Sequence, residues 1–114
     1  DNATLPQWCQ ESDRAVTDYA RNYLHLSQQD DLAQNLLRRG LASKADLFLA
    51  QMQDYLGLGG DARMNEPGTL KPKNWRWRVT SEQLTPTLAH TLRTLAEEAG
   101  RLPNYETQER TVYE

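Results

Sequence analysis

Residues 56–79 read Leu-Gly-Leu-Gly-Gly-Asp-Ala-Arg-Met-Asn-Glu-Pro-Gly-Thr-Leu-Lys-Pro-Lys-Asn-Trp-Arg-Trp-Arg-Val. No other stretch constrains the chain as strongly. It is too long for an ordinary connector: connections in compact domains usually run about four to six residues, and much longer ones are functional or disordered. Disordered linkers avoid large aromatics, yet this stretch keeps Trp75 and Trp77 among its glycines and prolines. It reads as a loop folded against something.

The 114 residues suffice for one domain of ordinary size. Hydrophobic residues make up 38% and charged residues 25%, which allows a globular chain with a modest core. A net charge of −3 and a pI of about 5.4 argue against nucleic acid or an anionic membrane as partners. No apolar run approaches the roughly 18 residues that span a bilayer, and no signal peptide is visible. Cys9 stands alone, which excludes an internal disulfide and fits a reducing, cytoplasmic compartment. With one cysteine, and with His25 and His90 far apart, no structural zinc site is expected.

Around the loop the periodicity is helical. Val16, Tyr19, Ala20, Tyr23 and Leu24 carry the spacing of a helix that buries one face, with Ser12 or Asp13 as its cap. Ser27 and Asp30 mark a second start, and Ala33, Leu36, Leu37, Gly40 and Leu41 repeat the pattern. Gly40 inside that face costs about 1 kcal/mol relative to Ala, so it implies close packing on a neighbour. Residues 45–52 hold the short apolar run Leu47-Phe48-Leu49-Ala50, which suits a strand buried on both faces, although a buried helix segment reads similarly. Residues 53–56 can form one helical turn, stopped by the glycines that follow. Trp75 to Val79 alternate with period two, as an extended segment would. Thr80 and Gln83 have capping-box spacing. Thr85-Pro86 then opens a helix along Leu88, Leu92, Leu95, Ala96 and Ala99, closed by Gly100.

Two segments carry a resemblance. Asp1-Asn2-Ala3-Thr4-Leu5-Pro6-Gln7-Trp8 is similar to the Asp-Asn-Asp-Thr-x-x-Gly-Trp segment of the 4-α-glucanotransferases, also called amylomaltases or disproportionating enzymes (glycoside hydrolase family 77). The second runs from Asp46 to Arg78 and resembles that family's closing block. Its matching residues are Gln53-Asp54, Leu56-Gly57-Leu58-Gly59, Ala62-Arg63-Met64-Asn65, Pro67-Gly68-Thr69, Asn74-Trp75 and Trp77-Arg78. Order and spacing fit as well, and the resemblance covers about residues 1–100. Ala3, Pro6-Gln7 and Cys9 depart from the pattern, which touches the local shape of a sugar pocket but leaves Asp1 in place.

The resemblance implies an α/β fold: the C-terminal part of a (β/α)8 barrel, predominantly helical here with one or two short strands. Residues 1–102 would be the barrel segment and 103–114 a polar tail. It implies a glycosyltransferase of starch, glycogen and maltodextrin metabolism that moves α-1,4-glucan segments between maltooligosaccharides with retention of configuration. In that family two carboxyls do the covalent and acid/base work, and a third stabilises the cationic transition state. The match places the third carboxylate at Asp1. Nothing in this chain matches the other two, so the chain is expected to be catalytically incomplete and inactive alone.

Asn65 is the implied substrate-binding residue; the alternative is that it only shapes the turn before Pro67-Gly68. For Asp1 the alternative is a disordered terminal residue. Arg63 either pairs with a carboxylate or is solvated. Trp75 and Trp77 either stack on sugars or, the reading preferred here, pack under the loop near the last helix. No metal or organic cofactor is implied. The expected partners are an α-glucan or maltooligosaccharide, the rest of the parent barrel and, for the isolated piece, a second copy covering its open edges. The rival to an enzyme part is a non-catalytic helical binding or packing module that has kept the family sequence.

Overall fold

The computed structural model describes residues 1–103. The tail expected from 103 onward therefore lies, from residue 104, outside the described residues. Among the described residues five helices appear in the order α1 (Leu5–Glu11), α2 (Arg14–Tyr23), α3 (Leu32–Leu41), α4 (Met52–Tyr55) and α5 (Pro86–Glu98), with a 3-10 turn at Gly60–Ala62.

Helix α3 is the centre, packed against α1, α4 and α5. Its Leu32, Ala33, Leu37 and Leu41 supply most of the core, joined by Ala62 and Leu95. This is the face the spacing predicted. The start differs by a step: Asp31, not Ser27 or Asp30, caps the helix, its carboxylate accepting from Gln34 N–H at 3.1 Å. Helix α5 follows the sequence closely. Thr85 Oγ1 accepts from Leu88 N–H at 3.0 Å, and Pro86 opens the first turn. Arg101 N–H donates back to Ala96 C=O at 2.8 Å, which closes a Schellman end over Gly100.

Gly40 has the reason anticipated for it. A Cβ built there would lie 2.3 Å from the ring of Phe48, so any side chain would displace the aromatic that packs on α3. Phe48 belongs to the expected strand, and here the expectation needs correcting. Among the described residues there is no strand. The segment keeps a strand's alternation: Phe48 and Ala50 are half-buried, while Leu47 and Leu49 are 73% and 82% exposed. What it lacks is a ladder, because no described segment pairs with its backbone groups, and a strand exists only through its neighbours. Arg101 holds the entrance to this segment. Its guanidinium donates to the carbonyls of Leu41 (2.6 Å), Ser43 (3.2 Å) and Ala45 (2.8 Å), which would otherwise be orphan acceptors beyond the end of α3.

Two further expectations shift. Helix α2 forms, but its stripe is uncovered: Val16, Tyr19 and Tyr23 are 46%, 74% and 62% exposed. Helix α1 was not foreseen at all. Thr4, fully buried, caps it by accepting from Gln7 N–H at 3.2 Å, and Pro6 sits in its first turn. Pro6-Gln7, a departure from the family pattern, is therefore the local means of starting a helix.

Candidate active site

Asp1 and Asn65 are 64 positions apart, and the fold brings their side chains together: Asn65 Nδ2 donates to Asp1 Oδ1. Both chain segments are held on either side of this contact.

The segment carrying Asp1 is pinned from below. Asp54, 6% exposed on α4, accepts from Leu5 N–H at 2.6 Å, a charge-assisted bond to the first free N–H of α1. Gln51 Nε2 reaches Ala3 C=O at 3.4 Å. Gln34 Nε2 in turn donates to Asp54 C=O at 3.1 Å, which ties α4 to the central helix.

The loop carrying Asn65 is pinned by its own side chains. Buried Gln53 donates to Ala62 C=O at 3.1 Å. Arg63 reaches both partners of the site: Nε donates to Asn65 C=O at 2.9 Å and Nη2 to Asp1 C=O at 2.6 Å. Of its two readings, a carboxylate partner or solvation, the first gives way to two backbone carbonyls. Beyond Asn65 the chain turns at residues 66–69. Gly68 has φ of +75° and Thr69 N–H donates to Glu66 C=O at 3.3 Å, the geometry a type II turn needs after Pro67. Asn74 locks this turn: Oδ1 accepts from Glu66 N–H at 3.3 Å, and Nδ2 donates to Thr69 C=O and Oγ1 at 3.2 and 3.0 Å. The turn is thus built by residues 66–69 and Asn74, and the Asn65 side chain takes no part in it.

Trp75 contradicts the packing expectation. It is 60% exposed, and its φ of +64° places a bulky residue in left-handed backbone, which costs about 1–3 kcal/mol and persists only where its surroundings impose it. Here Trp75 N–H donates to Met64 C=O at 2.5 Å, and Arg78 Nη1 reaches Trp75 C=O at 3.4 Å. The extended run expected from Trp75 thus opens with a left-handed residue. Trp77 is half-buried.

Lys71 Nζ donates to Glu66 Oε2. That hydrogen bond, with the nearby cations Lys73 and Arg63, holds the Glu66 carboxyl below its ordinary range. A carboxylate with a lowered folded-state pKa contributes stability that is complete above the ordinary Glu range and is lost as pH falls through the lowered value. Titration followed by NMR should show the Glu66 side chain turning only below that ordinary range, with Lys71→Met moving it back up. An unmoved midpoint in Lys71→Met would contradict the tie. Burial, then the Asp31 charge, push the Cys9 thiol up, away from the thiolate that reactivity needs. Among the described residues no group of three or more His, Cys, Asp or Glu is placed to hold a metal ion, and no helix is long and apolar enough to cross a membrane.

Asp54 and Gln53 were visible in sequence only as matched letters. Their role in placing the site could not be read there, because it depends on contacts over 49 and 9 positions with backbone groups that carry no sequence signal.

Residues 1–85 match the glycoside hydrolase 77 family, described as 4-alpha-glucanotransferase. The chloroplastic/amyloplastic 4-alpha-glucanotransferase of Arabidopsis thaliana is 36% identical over 105 residues, covering 90% of this chain and 18% of that protein. The 4-alpha-glucanotransferase of Streptococcus pneumoniae serotype 4 is 39% identical over 87 residues, 75% of this chain and 17% of that one. An amylomaltase from Streptococcus agalactiae, solved in complex with acarbose, superposes with a TM-score of 0.82 at 28% identity, over 90% of this chain and 21% of that one. The chain spans about a fifth of the length of these relatives. With two matched segments meeting at one carboxylate, and with relatives of this identity and coverage, the chain belongs to the 4-alpha-glucanotransferase family, glycoside hydrolase family 77.

Proposed function

We propose that this chain is the C-terminal part, residues 1–102, of the (β/α)8 barrel of a cytoplasmic 4-alpha-glucanotransferase that transfers α-1,4-glucan segments between maltooligosaccharides. The observation that carries the reading is the hydrogen bond from Asn65 to Asp1. It joins the family's two matched segments at a single carboxylate.

In a retaining transfer a carboxylate nucleophile and an acid/base carboxyl stand about 5–5.5 Å apart and pass through an oxocarbenium-like transition state. Those two groups come from the rest of the parent barrel. Asp1 supplies a third, fixed negative charge whose value rises as positive charge develops on the sugar ring. Asn65 orients that carboxylate through its Nδ2–H, and its side-chain Oδ1, which accepts no hydrogen bond among the described residues, can accept from a sugar hydroxyl. Arg63 couples the two through their backbones. Acarbose in the amylomaltase relative supports an α-glucan as substrate. The exposed Leu47 and Leu49 support a missing neighbour: a further barrel strand in the parent, or a second copy for the piece alone.

A double-mutant cycle tests the carrying observation. In the full-length gene product, Asp1→Ala and Asn65→Ala should be coupled by about 1–3 kcal/mol in kcat/KM for maltotriose disproportionation, as touching residues are. Strict additivity would remove the basis of the reading. The chain alone should release no glucose from maltotriose, and release at enzyme-like rates would refute its incompleteness. A full-length product that performs no transfer at all would favour the non-catalytic packing module instead.

A further inference from the structure

Beside Asn65 lies a surface pocket of about 250 Å3, lined by Asn65, Thr69, Leu70, Lys71, Asn74 and Trp75. Its volume falls below the roughly 300–1,000 Å3 typical of pockets for larger ligands, which suits one hexose ring rather than several. We propose that this pocket is a glucose-binding subsite in which the Trp75 ring is the stacking wall and Asn65 is the shared edge with Asp1. The inference rests on the reading of Asp1 and Asn65 as sugar-handling residues.

Three observations carry it. First, Trp75 is held outward at a conformational cost. Its left-handed backbone is clamped between Met64 C=O and Arg78, and strained residues of this kind cluster where a ligand is gripped. Its ring is 60% exposed in this chain and lines the pocket. Second, the polar groups of the pocket divide cleanly. Asn74 spends both ends of its amide on Glu66 and Thr69, so it frames the loop. Asn65 Nδ2 is taken by Asp1, while its Oδ1 accepts no hydrogen bond among the described residues. Lys71 donates one N–H to Glu66 and has others to give. An acceptor and a donor therefore line the same pocket as the Trp75 ring. Third, this mixture matches a pyranose, which presents an apolar C–H face to a ring and hydroxyls at its rim.

The test uses the full-length gene product. Trp75→Asn removes the ring but keeps a residue that tolerates left-handed backbone; Trp75→Phe keeps an aromatic face. We expect W75N to raise KM for maltotriose about tenfold, the effect of losing one contact of about 1.4 kcal/mol. Its kcat should change far less, and W75F should stay near wild type. A wild-type KM in W75N, or an equal loss in W75F, overturns the subsite. A readout independent of variant folding is the indole N–H resonance of Trp75 in 15N-labelled protein: maltoheptaose should shift it and leave that of Trp8 in place, and an unmoved Trp75 signal overturns the inference. Failure of the parent reading is seen separately, as transfer that survives loss of the Asp1 charge.

Discussion

Asp1→Asn in the full-length gene product should lower kcat for maltotriose disproportionation by about 100- to 1,000-fold, the usual effect of removing one preorganised transition-state contact. The substitution is chosen because it separates charge from shape. An asparagine at position 1 still offers an oxygen to Asn65 Nδ2, and the backbone bond from Arg63 Nη2 to the carbonyl of residue 1, now 2.6 Å, is untouched. Ground-state geometry should survive while the negative charge disappears. KM should therefore move little, since an interaction realised mainly in the transition state appears in kcat. Quenched-time glucose assays across a range of maltotriose concentrations give both constants. A kcat within tenfold of wild type would show that the charge at Asp1 does not stabilise the reacting sugar.

The largest effect on stability is expected at Leu37. It is 1% exposed, on the helix against which α1, α4 and α5 all pack. Leu37→Ala removes methyl groups from the middle of a small core and leaves a cavity, at a cost of about 2–5 kcal/mol. Domains hold only about 5–15 kcal/mol in total, so the variant should lose a large share of its resistance to urea. The control is Lys44→Ala. Lys44 is exposed, and exposed substitutions typically stay within about 0.5 kcal/mol. If the urea midpoint fell equally for both, α3 would not be the core that its packing makes it.

The elements that could be read from sequence share one property: the information lay within a few residues. Helices α3 and α5 announced themselves by spacing, and the Thr80–Gln83 box formed as written. Thr80 N–H donates to Gln83 Oε1 at 2.9 Å, and Gln83 N–H donates to Thr80 Oγ1 at 3.3 Å, although here the box closes a turn rather than a helix. Helix α1 was missed because its seven residues are too few to display a period; only Thr4 followed by Pro6 hinted at it. The segment around Phe48 was read as a strand buried on both faces; Leu47 and Leu49 are exposed and no described segment pairs with it, since burial and pairing both depend on residues elsewhere. At the site, family resemblance pointed to Asp1 and Asn65, but no local pattern could show that they touch. Trp75 was misjudged for a similar reason. An alternating run implies extended backbone, and only the distant carbonyl of Met64 reveals the left-handed turn.

The Arg101 clamp has a consequence in time. Its acceptors begin at Leu41, 60 positions upstream, and chains are synthesised at about 5–20 residues per second. While the chain is being made, helix α3 and the segment behind it must therefore wait about 3–12 seconds for the cation that fastens their junction. Throughout that interval the junction leading into the apolar Leu47-Phe48-Leu49 run lacks the three hydrogen bonds that later fix its path, so the run leaves α3 on an unfastened backbone.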